Sequence, residues 1–415
     1  MNQKQGLPES FEEIYVARQP IFTGNLHVWG YELLFRHSAR AQGASFQNGD
    51  SASAKVILDG FAIAQEGLAD KVRTFINFSR QMILDDIPYS LPRGQVVELL
   101  EDIVPDDEFV NKCLELRKDY VIAVDDYLGQ EGWEKVLDLA HIIKVDVLAL
   151  SPEDLVRLST RLQAFTGKLL AEKVEDQAMF SMARDLGFQL FQGFFFSKPE
   201  VLTGRKLSSN EMSRLELLSE LGQQEIDHSR LKSIIQSDVS IIYRLLTYIN
   251  SPGFGLMIKV KSIEHALNML GERQIRQWLR VLILADFDSS PKGREVIQSS
   301  ATRAFFLSNM AEFYRPPLQI DTLFTIGLLS MLDALLNQPM KAILELVPLE
   351  DEVKDVLLEQ GSEAGLWLEL VKHFEFGQWQ EVDLISKSVG FADEKIAQSY
   401  SRALIQSRKL LGGHD

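Results

Sequence analysis

Cysteine is almost absent: Cys113 is the single one in 415 residues. One thiol excludes an internal disulfide framework and suits a reducing compartment. Set in a helical pattern, it reads as inert packing rather than as a nucleophile. Basic residues are the minority, 43 Lys and Arg against 59 Asp and Glu, for a formal charge of −16. A generic nucleic-acid binder needs a basic footprint, so duplex nucleic acid is excluded as a partner. No apolar run approaches membrane-spanning length. The first eleven residues are polar and acidic, without the apolar segment of a secretory signal. The expectation is a soluble, cytoplasmic protein with no membrane partner.

What is present is an ordinary globular composition, 46% apolar and 25% charged, with length enough for two or three domains. The charge deficit is uneven. Residues 1–200 carry 20 basic and 31 acidic side chains, a balance of −11 that leaves −5 for the remainder. In this first half, short β-rich runs fall at residues 15–17, 28–35, 74–78, 96–100, 121–124, 142–145, 168–171 and 190–191. Stretches of helical period, such as 51–66 and 107–118, lie between most of them. Strands alternating with helices imply a mainly parallel sheet, and eight runs is a barrel-sized number. From Glu211 onward the apolar spacing is helical, as in Leu215, Leu218 and Leu221 or Ile241, Ile242, Leu245 and Leu246. The fold class expected is therefore α/β plus all-α. A TIM-like (β/α) barrel over residues 1–203 is followed by an all-helical domain over 204–415, with a polar seam at 198–210.

Position, more than number, makes the acidic residues informative. The apolar runs lead successively into Glu32, Asn77, Glu98, Asp125-Asp126, Lys144-Val145-Asp146, Glu172 and Gln192. In a parallel barrel the strand C-termini share one face, and chemistry is done there. Each residue alone has a bland reading as a helix cap or a solvated loop charge. Independent caps, however, have no reason to recur at successive strand ends. The set is oxygen-rich and contains no Cys or His, which suits Mg²⁺ or Mn²⁺ over Zn²⁺. Enough carboxylates converge for two ions, an arrangement that can cleave a phosphodiester. Lys144 would neutralise charge developing on a phosphate, and Arg36 would grip phosphate or guanine in a planar fork.

These residues resemble the EAL domain, the cyclic-di-GMP phosphodiesterase fold. Gln19-Pro20-Ile21 and Glu32-Leu33-Leu34-Phe35-Arg36 are similar to its opening Q-P-I and E-A-L-x-R, with Leu33 in place of Ala. Asn77-Phe78-Ser79 matches N-x-S, and Glu98-Leu99-Leu100-Glu101 matches E-x-x-E. Asp125-Asp126-Tyr127 resembles D-D-F, Lys144-Val145-Asp146 resembles K-x-D, Ala171 to Glu175 resembles A-E-G-V-E, and Gln192-Gly193-Phe194 resembles Q-G-Y. The ordered match spans about residues 14–200. It implies that Glu32, Asn77, Glu98 and Asp125 hold metal, with Asp126 shared toward a second ion. It implies too that Lys144, Glu172 and Gln192 orient or activate the water. Gln19 and Arg36 would contact the ligand, and Glu175 would steady a catalytic loop. Homodimer formation is a further implied expectation.

Two departures stand out. The family's F-G-T-G-x-S loop is here Tyr127-Leu128-Gly129-Gln130-Glu131-Gly132, and Leu128 would be strained if its φ were positive. Lys173 replaces a glycine beside Glu172. The second half resembles an HDOD domain through Ile234 to Asp238, Leu245 to Ser251, and Ser262 to Gly271. An HD hydrolase has a His-Asp pair after a G-L-L stretch. Gly327-Leu328-Leu329 is followed instead by Ser330-Met331, so this half is read as an interaction module holding a protein partner. The order EAL then HDOD resembles the YuxH-like group of bacterial signalling proteins. The leading expectation is a regulatory protein that binds cyclic di-GMP with weak or no turnover. The alternatives are an active Mg²⁺- or Mn²⁺-dependent phosphodiesterase producing linear pGpG, and a ligand-free scaffold.

Overall fold

A computed structural model describes residues 14–37, 57, 61, 72–193, 196, 209–222, 228–236, 239–250, 260, 262–347 and 349–411. Eight strands close a barrel in sequence order. They are β1 (Ile14–Thr23), β2 (Val28–His37), β3 (Arg73–Phe78), β4 (Val96–Leu99), β5 (Val121–Val124), β6 (Ile142–Asp146), β7 (Lys168–Glu172) and β8 (Leu190–Phe191). Each of the eight β-rich runs became one of these strands. The helical period at 107–118 became the helix Asp107–Leu116, capped by the Asp106 carboxylate on the Phe109 amide. The stretch 51–66 and most of the seam 198–210 lie outside the described residues.

Pairing from β2 round to β8 is parallel, while β1 runs antiparallel to both its neighbours. The reason is local. Only the four residues 24–27 join β1 to β2, and the Thr23 amide donates to the His27 carbonyl at 2.8 Å across that turn. A connection so short can only reverse the chain, whereas parallel neighbours need a long crossover.

Inside the barrel the period of two builds layers. Ile21, Phe75, Val96, Ala123, Ile142, Leu170 and Leu190 form one separate apolar layer, all but dry. Two residues further along β3 to β8 come Asn77, Glu98, Asp125, Lys144, Glu172 and Gln192. On β1, running the other way, Gln19 stands two residues before Ile21. It is paired with Glu32 of β2. The lower layer thus closes the barrel floor, and the polar side chains form the layer above it.

From Ser209 on, every described element is a helix. The helix Pro291–Met310 is buried on all sides from Ser300 to Met310, which marks it as the central rod of the domain. Ile320–Leu329 and Asp393–Leu410 pack against it. Ser262, Ser290 and Ser362 each cap a helix by accepting a backbone amide. The helix Ile263–Ala285 is kinked at Gly271, where φ is +79°. No helix among the described residues is long and apolar enough to cross a membrane.

Candidate functional site

Lys144 is the hub of the upper layer. Its Nζ lies 2.7 Å from Glu98 Oε1, 2.7 Å from Asp125 Oδ1, 2.8 Å from Glu172 Oε1 and 3.6 Å from Glu32 Oε2. The lysine is 1% exposed and Glu98 is 0% exposed, so these charges meet away from bulk water. Burial by itself works against the ammonium, but the surrounding carboxylates, Glu172 foremost, hold its pKa well above the usual lysine value. Burial pushes Glu98 well above the carboxylate range, and Lys144 offsets only part of that. Glu172 is raised in the same way, and Asp126 is raised by burial and by its neighbour Asp125.

A second set of contacts fixes Glu32. The Gln192 amide donates to Glu32 Oε2 at 2.6 Å and to Gln19 Oε1 at 2.8 Å. Asn77 Nδ2 donates to Glu32 Oε1 at 3.3 Å. Residues separated by up to 173 positions in the chain are joined here, because β1, β2 and β8 adjoin in the closed barrel. The expected residues Gln19, Glu32, Asn77, Glu98, Asp125, Lys144, Glu172 and Gln192 therefore stand together at one end of the barrel. Asp126 lies beside them: one oxygen from each of Asp125, Asp126 and Glu172 falls within 4.8 Å of the others. Glu175 is half-buried three residues beyond β7. Arg36 is placed in β2 by its backbone, but its side chain lies outside the described residues.

The donor set suits a divalent cation. Asn77 Oδ1, Glu98 Oε2 and Asp126 Oδ1 are buried and accept no hydrogen bond, while Glu98 Oε1 faces Lys144 alone. Buried acceptors without a donor are rare and costly, and each of these is an oxygen that a hard cation would take. Glu32, Glu98, Asp125, Asp126 and Glu172 against Lys144 leave an excess of about four negative charges, which two divalent ions would balance.

Strain in the surrounding loops sits elsewhere than expected. Leu128 is not in the left-handed region; its side chain is exposed and its amide donates to Gln130 Oε1 at 2.9 Å. The positive φ values fall on Asp126, +40°, and on Gly129, +97°, and Gly132, +86°, of which only the two glycines bear them without cost. Gln130 closes the loop by donating to the Asp126 carbonyl at 3.1 Å, while Tyr127 and Trp133 anchor it as buried side chains. Lys173 is the departure with a backbone consequence. It holds φ +55°, and its ammonium pairs with Asp146. Asp146 in turn accepts the amides of Leu148 and Ala149 at 2.8 and 3.1 Å. Sequence reasoning placed Asp146 in the K-x-D motif without giving it this role.

In the helical half, the place where an HD hydrolase keeps its metal pair is packed. Ser330 Oγ donates to the Gly327 carbonyl at 2.8 Å and accepts from Arg303 at 3.2 Å, and Met331 is buried. Among the described residues, the one cluster fit for a metal is in the barrel.

Comparison with known proteins agrees with this division. The HDOD domain profile matches residues 209–349. The chain is 33% identical over 406 residues to the cyclic di-GMP phosphodiesterase CdgJ of Vibrio cholerae, covering 96% of this chain and 94% of that protein. It is 34% identical over 381 residues to YuxH of Bacillus subtilis, an uncharacterised protein, covering 88% and 91%. Among solved structures, Klebsiella pneumoniae BlrP1 with calcium and cyclic di-GMP aligns with a TM-score of 0.39 at 21% identity, over 48% of this chain and 58% of that one.

Proposed function

Because the chain belongs to the EAL–HDOD family that includes CdgJ and YuxH, we propose that its barrel binds cyclic di-GMP at a divalent-cation site and hydrolyses it to linear pGpG. The observation that carries this reading is the placement of Lys144 among Glu98, Asp125 and Glu172, ringed by buried oxygens that lack a donor. Glu32, Asn77, Glu98 and Asp125 would hold one cation, and Asp125, Asp126 and Glu172 a second. Mg²⁺ or Mn²⁺ bound there would supply Lewis-acid polarisation of the phosphate and of the attacking water.

The chain's own groups then have defined tasks. Glu172, steadied by Lys144, accepts the proton of the attacking water. The water oxygen forms the new bond to phosphorus, and the ribose 3′ oxygen leaves, opening the ring. Lys144 offsets the charge that gathers on the phosphate. Gln192 holds Glu32 in register, and Gln19 and Arg36 contact the dinucleotide. The HDOD half would carry output to a protein partner.

A second reading, a receptor with little turnover, is favoured by Lys173, which adds a cation beside the water-activating position. Calorimetry of the full chain with cyclic di-GMP and Ca²⁺, Mg²⁺ or Mn²⁺, paired with a chromatographic product assay, separates the two. Linear product that disappears in Glu32→Ala supports the hydrolase. Saturable binding without product supports the receptor, and no binding with any metal overturns both.

A further inference from the structure

A second cavity, of about 740 Å³, lies outside the barrel, between the β1–β2 hairpin and the helical half. That volume is within the ~300–1,000 Å³ range of small-molecule sites. Its walls carry five arginines in a protein of charge −16, namely Arg18, Arg244, Arg294, Arg303 and Arg408, against Asp286, Glu295 and Glu375. The acids are already engaged. Glu375 takes Arg303 at 2.7 Å, Asp286 takes Arg244 at 3.0 Å, and Glu295 accepts the Tyr31 hydroxyl at 3.0 Å.

Of the three other arginines, Arg294 donates to the Ser289 carbonyl at 3.0 Å, which leaves Arg18 and Arg408. Arg18 lies over the Tyr31 ring, 5.6 Å from its centroid, and its Nη1 is buried with no acceptor. Arg408 makes no ion pair among the described residues, and both cations act on the Tyr31 hydroxyl. The unmatched acceptor in the same walls is Glu375 Oε1. An occupant that satisfies all three bears an anionic group of high charge and a hydrogen-bond donor. Tyr31, Phe376 and Tyr400 line the same walls.

We propose that this interdomain cavity is a binding site for a nucleoside monophosphate, with Arg18 and Arg408 on the phosphate and Glu375 on a ribose or base donor. Arginine forks match phosphate oxygens, and a desolvated guanidinium without an acceptor is a strong incentive to bind one. Gln19 borders the cavity and accepts from the same Gln192 amide that holds Glu32. It needs no metal and stands whether or not the barrel hydrolyses anything.

Titration calorimetry of the full chain in EDTA with GMP and AMP, with guanosine and inorganic phosphate as controls, tests it. Saturable binding of a monophosphate is expected. Arg18→Gln and Arg408→Gln should each weaken it by about tenfold or more, and Arg408→Lys by less. Binding in Glu32→Ala, whose barrel site is damaged, should stay within about twofold of the parent. Unfolding curves on each variant confirm that it is folded. Absence of saturation by either monophosphate overturns the proposal. So does binding that is lost in Glu32→Ala and kept in the arginine variants, because that assigns it to the barrel.

Discussion

Lys173 pairs with Asp146 from a left-handed backbone position, one residue after Glu172. A non-glycine residue there costs about 1 kcal/mol. The ion pair, on a side chain 56% exposed, returns less than about 1 kcal/mol after screening. Lys173→Gly should therefore change stability by less than about 1 kcal/mol. Its effect on cations should be clear. A positive charge leaves the vicinity of Asp126 and Glu172, so Mn²⁺ affinity at low ionic strength should rise roughly threefold to tenfold. Electron paramagnetic resonance titration of free Mn²⁺ measures this. An unchanged affinity would mean that Lys173 does not bear on the cation site.

Lys144→Met removes the one cation that touches Glu98, Asp125 and Glu172 together. Breaking a buried charge network on one side typically costs about 3–5 kcal/mol. In EDTA the melting temperature should fall accordingly. Saturating Mn²⁺ should restore much of it, since divalent ions then balance the carboxylates. Calorimetric melts with and without metal decide the matter: an equal loss under both conditions would mean that the pocket does not take cations.

The barrel was legible because period-two alternation and the polar residue ending each run are local properties of the chain. Asn77, Glu98, Asp125, Lys144, Glu172 and Gln192 could be gathered by counting strand ends. The reversal of β1 was not read, because the β-rich run at 15–17 leaves ten residues before 28 and the four-residue turn emerges only with a strand that extends to Thr23. Other features depend on distant partners. The one hint that φ at Lys173 is positive is the glycine the family motif keeps there, and the residue that suggested strain, Leu128, lies outside the left-handed region, where Gly129 and Gly132 bear the turn. The interdomain cavity joins Arg18 to Arg408 across 390 positions, a pairing that composition and spacing do not encode.

His141 should give the fold a measurable pH dependence. Its Nδ1 accepts the Ile122 amide at 3.0 Å, and its own amide donates to the Ile122 carbonyl at 2.8 Å, which extends the β5–β6 ladder. Burial first, and then Arg117, holds its pKa below the ordinary histidine value. The folded state therefore prefers the neutral ring. This stability is fully present above the unfolded value, near 6.5, and is lost as pH falls from there through the folded pKa. In urea titrations between pH 8 and 5, the parent should lose stability relative to His141→Gln below about pH 6.5, with a slope under about 1.4 kcal/mol per pH unit. Parallel curves across this range would show that the ring titrates alike in both states.

Gly327 opens the Gly-Leu-Leu stretch that in HD hydrolases precedes a metal pair, and here its task is steric. A Cβ at this position would meet the Ala304 Cα and N at 2.5 Å and the Arg303 carbonyl carbon at 2.7 Å, all backbone atoms of the central helix. Helix propensity alone would favour alanine by about 1 kcal/mol. Overpacking against a backbone that cannot step aside opposes it by about 1–3 kcal/mol, so the net sign is set by the clash. Gly327→Ala should lower the unfolding midpoint of the helical half. Mn²⁺ affinity measured well below that midpoint should be unchanged, because the cation residues belong to the barrel strands. A stabilised variant would refute the close-packing role, and a loss of Mn²⁺ affinity in the folded variant would show that the helical half shapes the barrel site directly.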